Sequence, residues 1–211
     1  MGYYKNESAR SGEFVPAHEI AVANVLVGIG FIEVFAGMFS LKKGDLKKWW
    51  ENRFDDSLDE ILKDMPNGTF ILQPGGTQSF PDILVKDFNG RIVAIECKSS
   101  KDAHPMWNDN TPKHGACYIM SSAKTNETTL FMGEDVIVAE ELEVIQKYHI
   151  LFAQLKQQCA DEMSKIVGKN RGWVYGHRQQ FFQQGGAVKT NYFTHSDREL
   201  CEMNALEFLK A

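Results

Sequence analysis

Cysteine is scarce in this chain and follows no pattern. The four cysteines stand at positions 97, 117, 159 and 201, and no two have C-x-x-C spacing. That argues against a disulfide scaffold and for reduced, mostly buried thiols. Cys97, His104, His114 and Cys117 can be drawn together as a zinc site, but their spacing fits no standard pattern. A basic surplus is missing too. The net charge is −5 and the isoelectric point about 5.7, which excludes wholesale electrostatic coating of nucleic acid and leaves room for one basic groove. No apolar run reaches the length of a membrane span. The most apolar window, 20–39, is interrupted by Asn24, Glu33 and several Ala and Gly residues. The first residues, Met1-Gly2-Tyr3-Tyr4-Lys5-Asn6-Glu7, lack the basic-then-apolar order of a secretion signal. The expected location is the cytoplasm. Internal repeats and low-complexity segments are absent as well. Acidic residues, finally, are missing from 163–196, where Lys165, Lys169, Arg171, Arg178 and Lys189 gather.

What remains is an ordinary soluble composition, with 43% hydrophobic and 24% charged residues. A chain of 211 residues can bury a sizeable core as one domain. We read 1–211 as a single domain, with a core over about 16–167 and a C-terminal elaboration over 168–211. Residues 16–30 predict a helix, apolar nearly all round and therefore buried, with Glu19 its one acid. A short strand is expected at 31–35. One or two amphipathic helices are expected over 41–65, their Trp residues in the core. Further strands are expected at 69–72, 116–120, 128–132 and 136–138. The 139–167 stretch predicts a long helix with Leu142, Ile145, Leu151, Leu155, Cys159, Met163 and Ile166 near one stripe, either kinked or divided. Core packing is the expected use of that stripe. A late strand within 185–193 and a capping box at Ser196-Asp197-Arg198-Glu199 complete the reading.

The informative stretch is Ser79-Phe80-Pro81-Asp82-Ile83-Leu84-Val85, then Arg91-Ile92-Val93-Ala94-Ile95-Glu96-Cys97-Lys98-Ser99-Ser100. Two strand-like runs flank Asp87-Phe88-Asn89-Gly90, and Asn-Gly is a strong hairpin signal. Glu96 and Lys98 are two apart and share a face. An unpaired carboxylate after Ile92-Val93-Ala94-Ile95 would be costly. Two carboxylates and a lysine on a rigid sheet can hold Mg²⁺ beside a water and stabilise charge on a phosphoryl group. The alternative is a surface hairpin with ordinary charges.

The register matters. A two-residue loop at Asn89-Gly90 would pair Asp82 with Cys97 and turn Asp82 away from Glu96. A three-residue loop with Gly90 in the left-handed conformation brings Val85 opposite Val93 and Asp82 opposite Glu96. A bulge within the first strand does the same. One of the two is expected.

Pro81-Asp82, thirteen intervening residues and Glu96-Cys97-Lys98 resemble the PD-(D/E)xK nuclease signature. That superfamily includes type II restriction endonucleases, junction resolvases and repair nucleases. The resemblance implies an α/β fold with a restriction-endonuclease-like core, a mixed central sheet flanked by helices. It implies Mg²⁺, with Mn²⁺ as a substitute, held by Asp82, Glu96 and the backbone carbonyl of Cys97. Lys98 would position or activate the attacking water. Nucleases of this superfamily often begin with a helix that carries a glutamate near its start and closes in Gly-Phe, like Gly30-Phe31 here, so by that resemblance Glu19 would support the metal, directly or through water. Its alternative role is an acid favoured by the helix dipole. The implied activity is sequence-specific cleavage of double-stranded DNA by a homodimer, leaving 5′-phosphate and 3′-hydroxyl ends. A structure-selective nuclease and a catalytically silent DNA-binding module are the alternatives.

Candidate DNA contacts follow from residue type. Gln78 and Ser79 lie just before Asp82, and Ser99, Ser100 and Lys101 just after Lys98. Asn108 and Lys113 belong to a polar loop suited to base edges. Lys169, Arg171, Trp173, His177, Arg178 and Gln179 interleave basic, aromatic and amide groups without an acid. Structured loops without a ligand are the alternative for both segments.

Overall fold

A computed structural model describes residues 17–28, 34–35, 41–52, 54–76, 79–101, 103–105, 107–108, 111–169, 171–173, 180–181 and 193–211. The elements in chain order are α1 (Ala17–Gly28), β1 (Val34–Phe35), α2 (Lys43–Glu51), a 3₁₀ turn (Asp56–Leu58), β2 (Thr69–Leu72), β3 (Ile83–Lys86), β4 (Ile92–Ser100), β5 (Trp107–Asn108), β6 (Cys117–Ser122), β7 (Glu127–Met132), α3 (Gly133–Val136), α4 (Ala139–Val167), β8 (Gln180–Phe181) and α5 (Arg198–Lys210). They form a mixed α/β protein of two compact units. The first comprises Met1–Met106, Lys113–Val136 and Gln183–Ala211; the second comprises Trp107–Pro112 and Ile137–Phe182.

The first unit holds a six-stranded sheet in the order β1-β2-β3-β4-β6-β7. β2, β3 and β4 run antiparallel in turn, β4 and β6 run parallel, and β6 and β7 form an antiparallel pair. Strand pleating divides the side chains. Ile83, Val85, Val93, Ile95, Cys117 and Ile119 enter one core with Val22, Ala23 and Leu26 of α1 and Ala205 and Leu209 of α5. Lys86 belongs to the other set and donates to the carbonyls of Leu62 and Met65, at 3.0 and 2.9 Å. That places the chain after the 3₁₀ turn on the opposite face, where Glu96 and Lys98 also point by parity.

The hairpin register is the one the metal-site reading requires. Val85 pairs with Val93 and Ile83 with Ile95, so extending the ladder by one brings Asp82 level with Glu96. Gly90 has φ +87°, the left-handed conformation expected of a three-residue loop. Asp87 shapes the turn. Its Oδ1 accepts the N–H groups of Asn89 and Arg91 at 2.9 and 2.8 Å, and its Oδ2 accepts Arg91 Nε–H at 3.0 Å.

Several expectations need correction. α1 buries one face only, since Ile20, Val25 and Val27 are exposed; small residues and Val on all sides do not oblige burial on all sides. Residues 133–136 turn helically, and 137–138 are not a strand. α5 starts at Arg198 without a side-chain cap from Asp197. α4 is one unbroken helix, closed by Gly168 at φ +66°. Its apolar side chains are not core: Val144, Tyr148, Leu151, Phe152, Leu155, Met163 and Ile166 are exposed. Periodicity identifies a face but not what covers it. All four cysteines are free, but only Cys117 is fully buried. Of the described residues in 41–65, only Lys43–Glu51 is α-helical, with Trp49 buried and Trp50 half-buried. Most of the late-strand stretch, 185–192, lies outside the described residues.

Gly133 opens α3 against the loop before β6. A Cβ there would lie 2.0 Å from the Lys113 carbonyl oxygen, a backbone atom that cannot swing aside. Gly133→Ala is expected to lower stability by about 2 kcal/mol or more, read as a lower midpoint of urea unfolding.

Candidate metal centre and its lysines

Each carboxylate of the candidate centre is held by one oxygen. Lys98 Nζ donates to Glu96 Oε1 at 2.9 Å, and both side chains are largely shielded from solvent. Asp82 Oδ2 accepts the Cys97 backbone N–H at 2.8 Å, which ties the mouth of β3 to the backbone between Glu96 and Lys98. Glu19, in the first turn of α1, accepts from Gln73 Nε2 on Oε2 at 2.9 Å. Gln73 has φ +45°, unusual for a residue with a side chain, and its N–H donates to the Asp82 carbonyl at 2.7 Å. Glu96 Oε2 is buried and has no hydrogen-bond partner among the described residues. A buried carboxylate oxygen left in this way is expensive unless something outside the chain meets it.

The electrostatics follow from crowding three acids in a desolvated place. Burial pushes Asp82 well above the usual carboxylate range, and the charges of Glu96 and Glu19 add to the rise. Burial likewise pushes Glu19 up to about 7, against the hydrogen bond from Gln73. Burial alone would pull Lys98 down, yet Glu96 and Asp82 hold it above its ordinary value. Lys98 is therefore an ammonium at neutral pH, suited to orienting a ligand and stabilising negative charge rather than to removing a proton.

An all-oxygen donor set beside a lysine suits a hard divalent cation. Among the described residues no three His, Cys, Asp or Glu side chains are grouped to hold an ion. The mode that fits is a pair of carboxylates with water in the other positions, which Mg²⁺ accepts. Asp82 and Glu96 would be that pair, and the Glu96 oxygen without a partner is free to meet an ion.

Other expected site residues are spread more widely. Ser99 and Ser100 continue β4 beyond Lys98 and pair with Ser121 and Ser122 of β6. Ser79 is half-buried before β3, and Lys101 is exposed. Lys113 is buried, not presented on a loop surface. Asn108 contributes its backbone to β5 of the second unit, which also contains Lys169, Arg171 and Trp173, all three exposed. Gln78, His177, Arg178 and Gln179 lie outside the described residues. Two residues were not anticipated. Gln73 orders Glu19, and Tyr118, facing Glu96 across β4 and β6, anchors the Lys113 backbone. Only the position of Gln73 just after a strand hinted at its role.

No family model, curated protein or solved structure matches this chain.

The raised acids have a consequence for stability. The folded chain holds the Glu19 proton up to about 7, against an ordinary value of 4.5. Its contribution is thus full below the ordinary value and is lost as pH rises through about 7. In a chelating buffer the melting temperature should fall as pH rises across that window. Glu19→Gln should flatten the fall by a few degrees, measured by scanning calorimetry.

Proposed function

We propose that this chain is a Mg²⁺-dependent, sequence-specific endonuclease for double-stranded DNA, with a restriction-endonuclease-like core of the PD-(D/E)xK kind. The observation that carries the reading is the junction of Asp82, Glu96 and Lys98 on adjoining strands, with a buried Glu96 oxygen left unpartnered. A surface hairpin would not draw its acids out of water.

Asp82 and Glu96 would hold the ion, with the Cys97 carbonyl lying between Glu96 and Lys98 in sequence. When bound, Mg²⁺ supplies Lewis acidity toward a phosphoryl oxygen. Glu96 fixes the Lys98 ammonium, which orients the attacking water and opposes the negative charge that develops on the phosphoryl group. The new bond joins the water oxygen to phosphorus, and the broken bond releases a 3′-hydroxyl and leaves a 5′-phosphate. Glu19, protonated near neutral pH by its burial, accepts from Gln73 and loses its proton most readily when a cation is near. A homodimer would set two such sites against the two strands of a two-fold symmetric sequence. Exposed Lys169, Arg171 and Trp173 are of the residue types that meet phosphates and bases.

Lys98→Ala is expected to slow Mg²⁺-dependent plasmid cleavage by roughly 100-fold or more. Binding to duplex DNA in a chelator should stay within a few-fold of the parent. Discrete plasmid fragments support site-specific cleavage, whereas cutting of branched DNA alone makes the enzyme structure-selective. Retention of near-parental cleavage by the variant would refute the mechanism.

A further inference from the structure

Among the described residues Lys113 is the lysine that is buried, and no carboxylate hydrogen-bonds its ammonium. The residue is 4% exposed. Its ammonium lies 4.4 Å from the ring centre of Phe80 and 4.8 Å from that of Trp50. No hydrogen bond from that ammonium to another described residue accompanies these contacts. Aromatic faces attract a cation, but they do not accept the three N–H bonds an ammonium offers. The nitrogen itself is not sealed off from solvent, so an acceptor from outside the chain can reach it.

The backbone around Lys113 is built to keep it there. Its N–H donates to Tyr118 Oη at 2.8 Å, and Tyr118 pairs with Glu96 across β4 and β6. Tyr118 is itself stacked on Phe131, ring centres 5.6 Å apart. The Lys113 carbonyl presses on Gly133, where no side chain fits. Phe80 immediately precedes Pro81-Asp82. The cage is therefore attached on one side to the entry of Asp82 and on the other to the strand beside Glu96. Burial brings the ammonium down to about 8, and the charges that act on it are those of Glu96, Lys98 and Asp82.

We propose that Lys113 is a second cationic residue of the centre, and that its caged ammonium contacts a phosphate oxygen of the DNA strand held at Asp82, Glu96 and Lys98. The two rings close two sides of the ammonium and leave its donors for a ligand. A compact anionic oxygen meets that demand. This role rests on the phosphodiester reading of the centre.

Two measurements separate the two claims. The first is the salt dependence of binding to a short fluorescent DNA duplex in a chelator, which needs no catalysis. Lys113→Met should reduce the slope of log affinity against log salt by about one unit. The second is single-turnover plasmid cleavage with Mg²⁺, expected to slow by roughly 100-fold. A Lys113→Met protein with parental slope and parental cleavage overturns the role of Lys113 and leaves the nuclease reading intact. A parent that never cleaves DNA refutes that reading, and the slope still decides whether Lys113 meets a phosphate. Lys113→Gln repeats the test with a neutral polar side chain. If neither variant unfolds cooperatively, the ammonium is a structural element and the proposal fails.

Discussion

Asp82, Glu96 and Glu19 act on one another in a region that has lost most of its water, and the charges of Lys98 and Lys113 belong to the same field. In water these groups would separate, hydrated and only weakly attracted. Here the ladder of β3 on β4 holds Asp82 level with Glu96. A backbone N–H binds one Asp82 oxygen, and Lys98 binds one Glu96 oxygen. With only one lysine paired directly to an acid, the negative charge is incompletely balanced. Asp82 and Glu19 respond by holding protons at pH values where free carboxyls have lost them. An added positive charge would relieve both the crowding and the unpartnered Glu96 oxygen.

The surrounding elements make sense as supports for that arrangement. Asp87 and Gly90 set a three-residue loop, and that loop sets the register. Gln73 adopts a left-handed backbone while joining β2 to both Asp82 and Glu19. Tyr118, across from Glu96, holds the loop bearing Lys113, and Gly133 leaves space for that loop's carbonyl. None of these residues carries chemistry itself. Each fixes the position of one that does, which is how small distances are kept on a hydrated protein.

Other parts of the first unit serve the sheet rather than the centre. α1 and α5 cover one face with Val22, Leu26, Ala205 and Leu209. Arg198 joins α5 to β7 through Glu127 at 2.7 Å, and Thr129 donates to Glu202 at 2.8 Å. Of these two helices, α1 also delivers Glu19 to the centre, so the packing of its apolar face decides where an acid stands.

Local chemistry settled much in advance. Strand-forming Val and Ile, an Asn-Gly turn and a two-residue alternation were enough to place β3, β4 and the shared face of Glu96 and Lys98. The register was narrowed to a three-residue loop or a bulge in the first strand, and the folded chain uses the loop. The same kind of argument misjudged α4, whose apolar stripe is exposed, because periodicity reports an attractive face and carries no information on what meets it. It also placed Lys113 on a polar loop surface. The chain alone determined which residues could make an acid–lysine centre on a hairpin. Tertiary structure alone decided that Gln73, Tyr118, Trp50 and Phe80 surround it, since those contacts join segments distant in sequence and depend on how the sheet and helices pack.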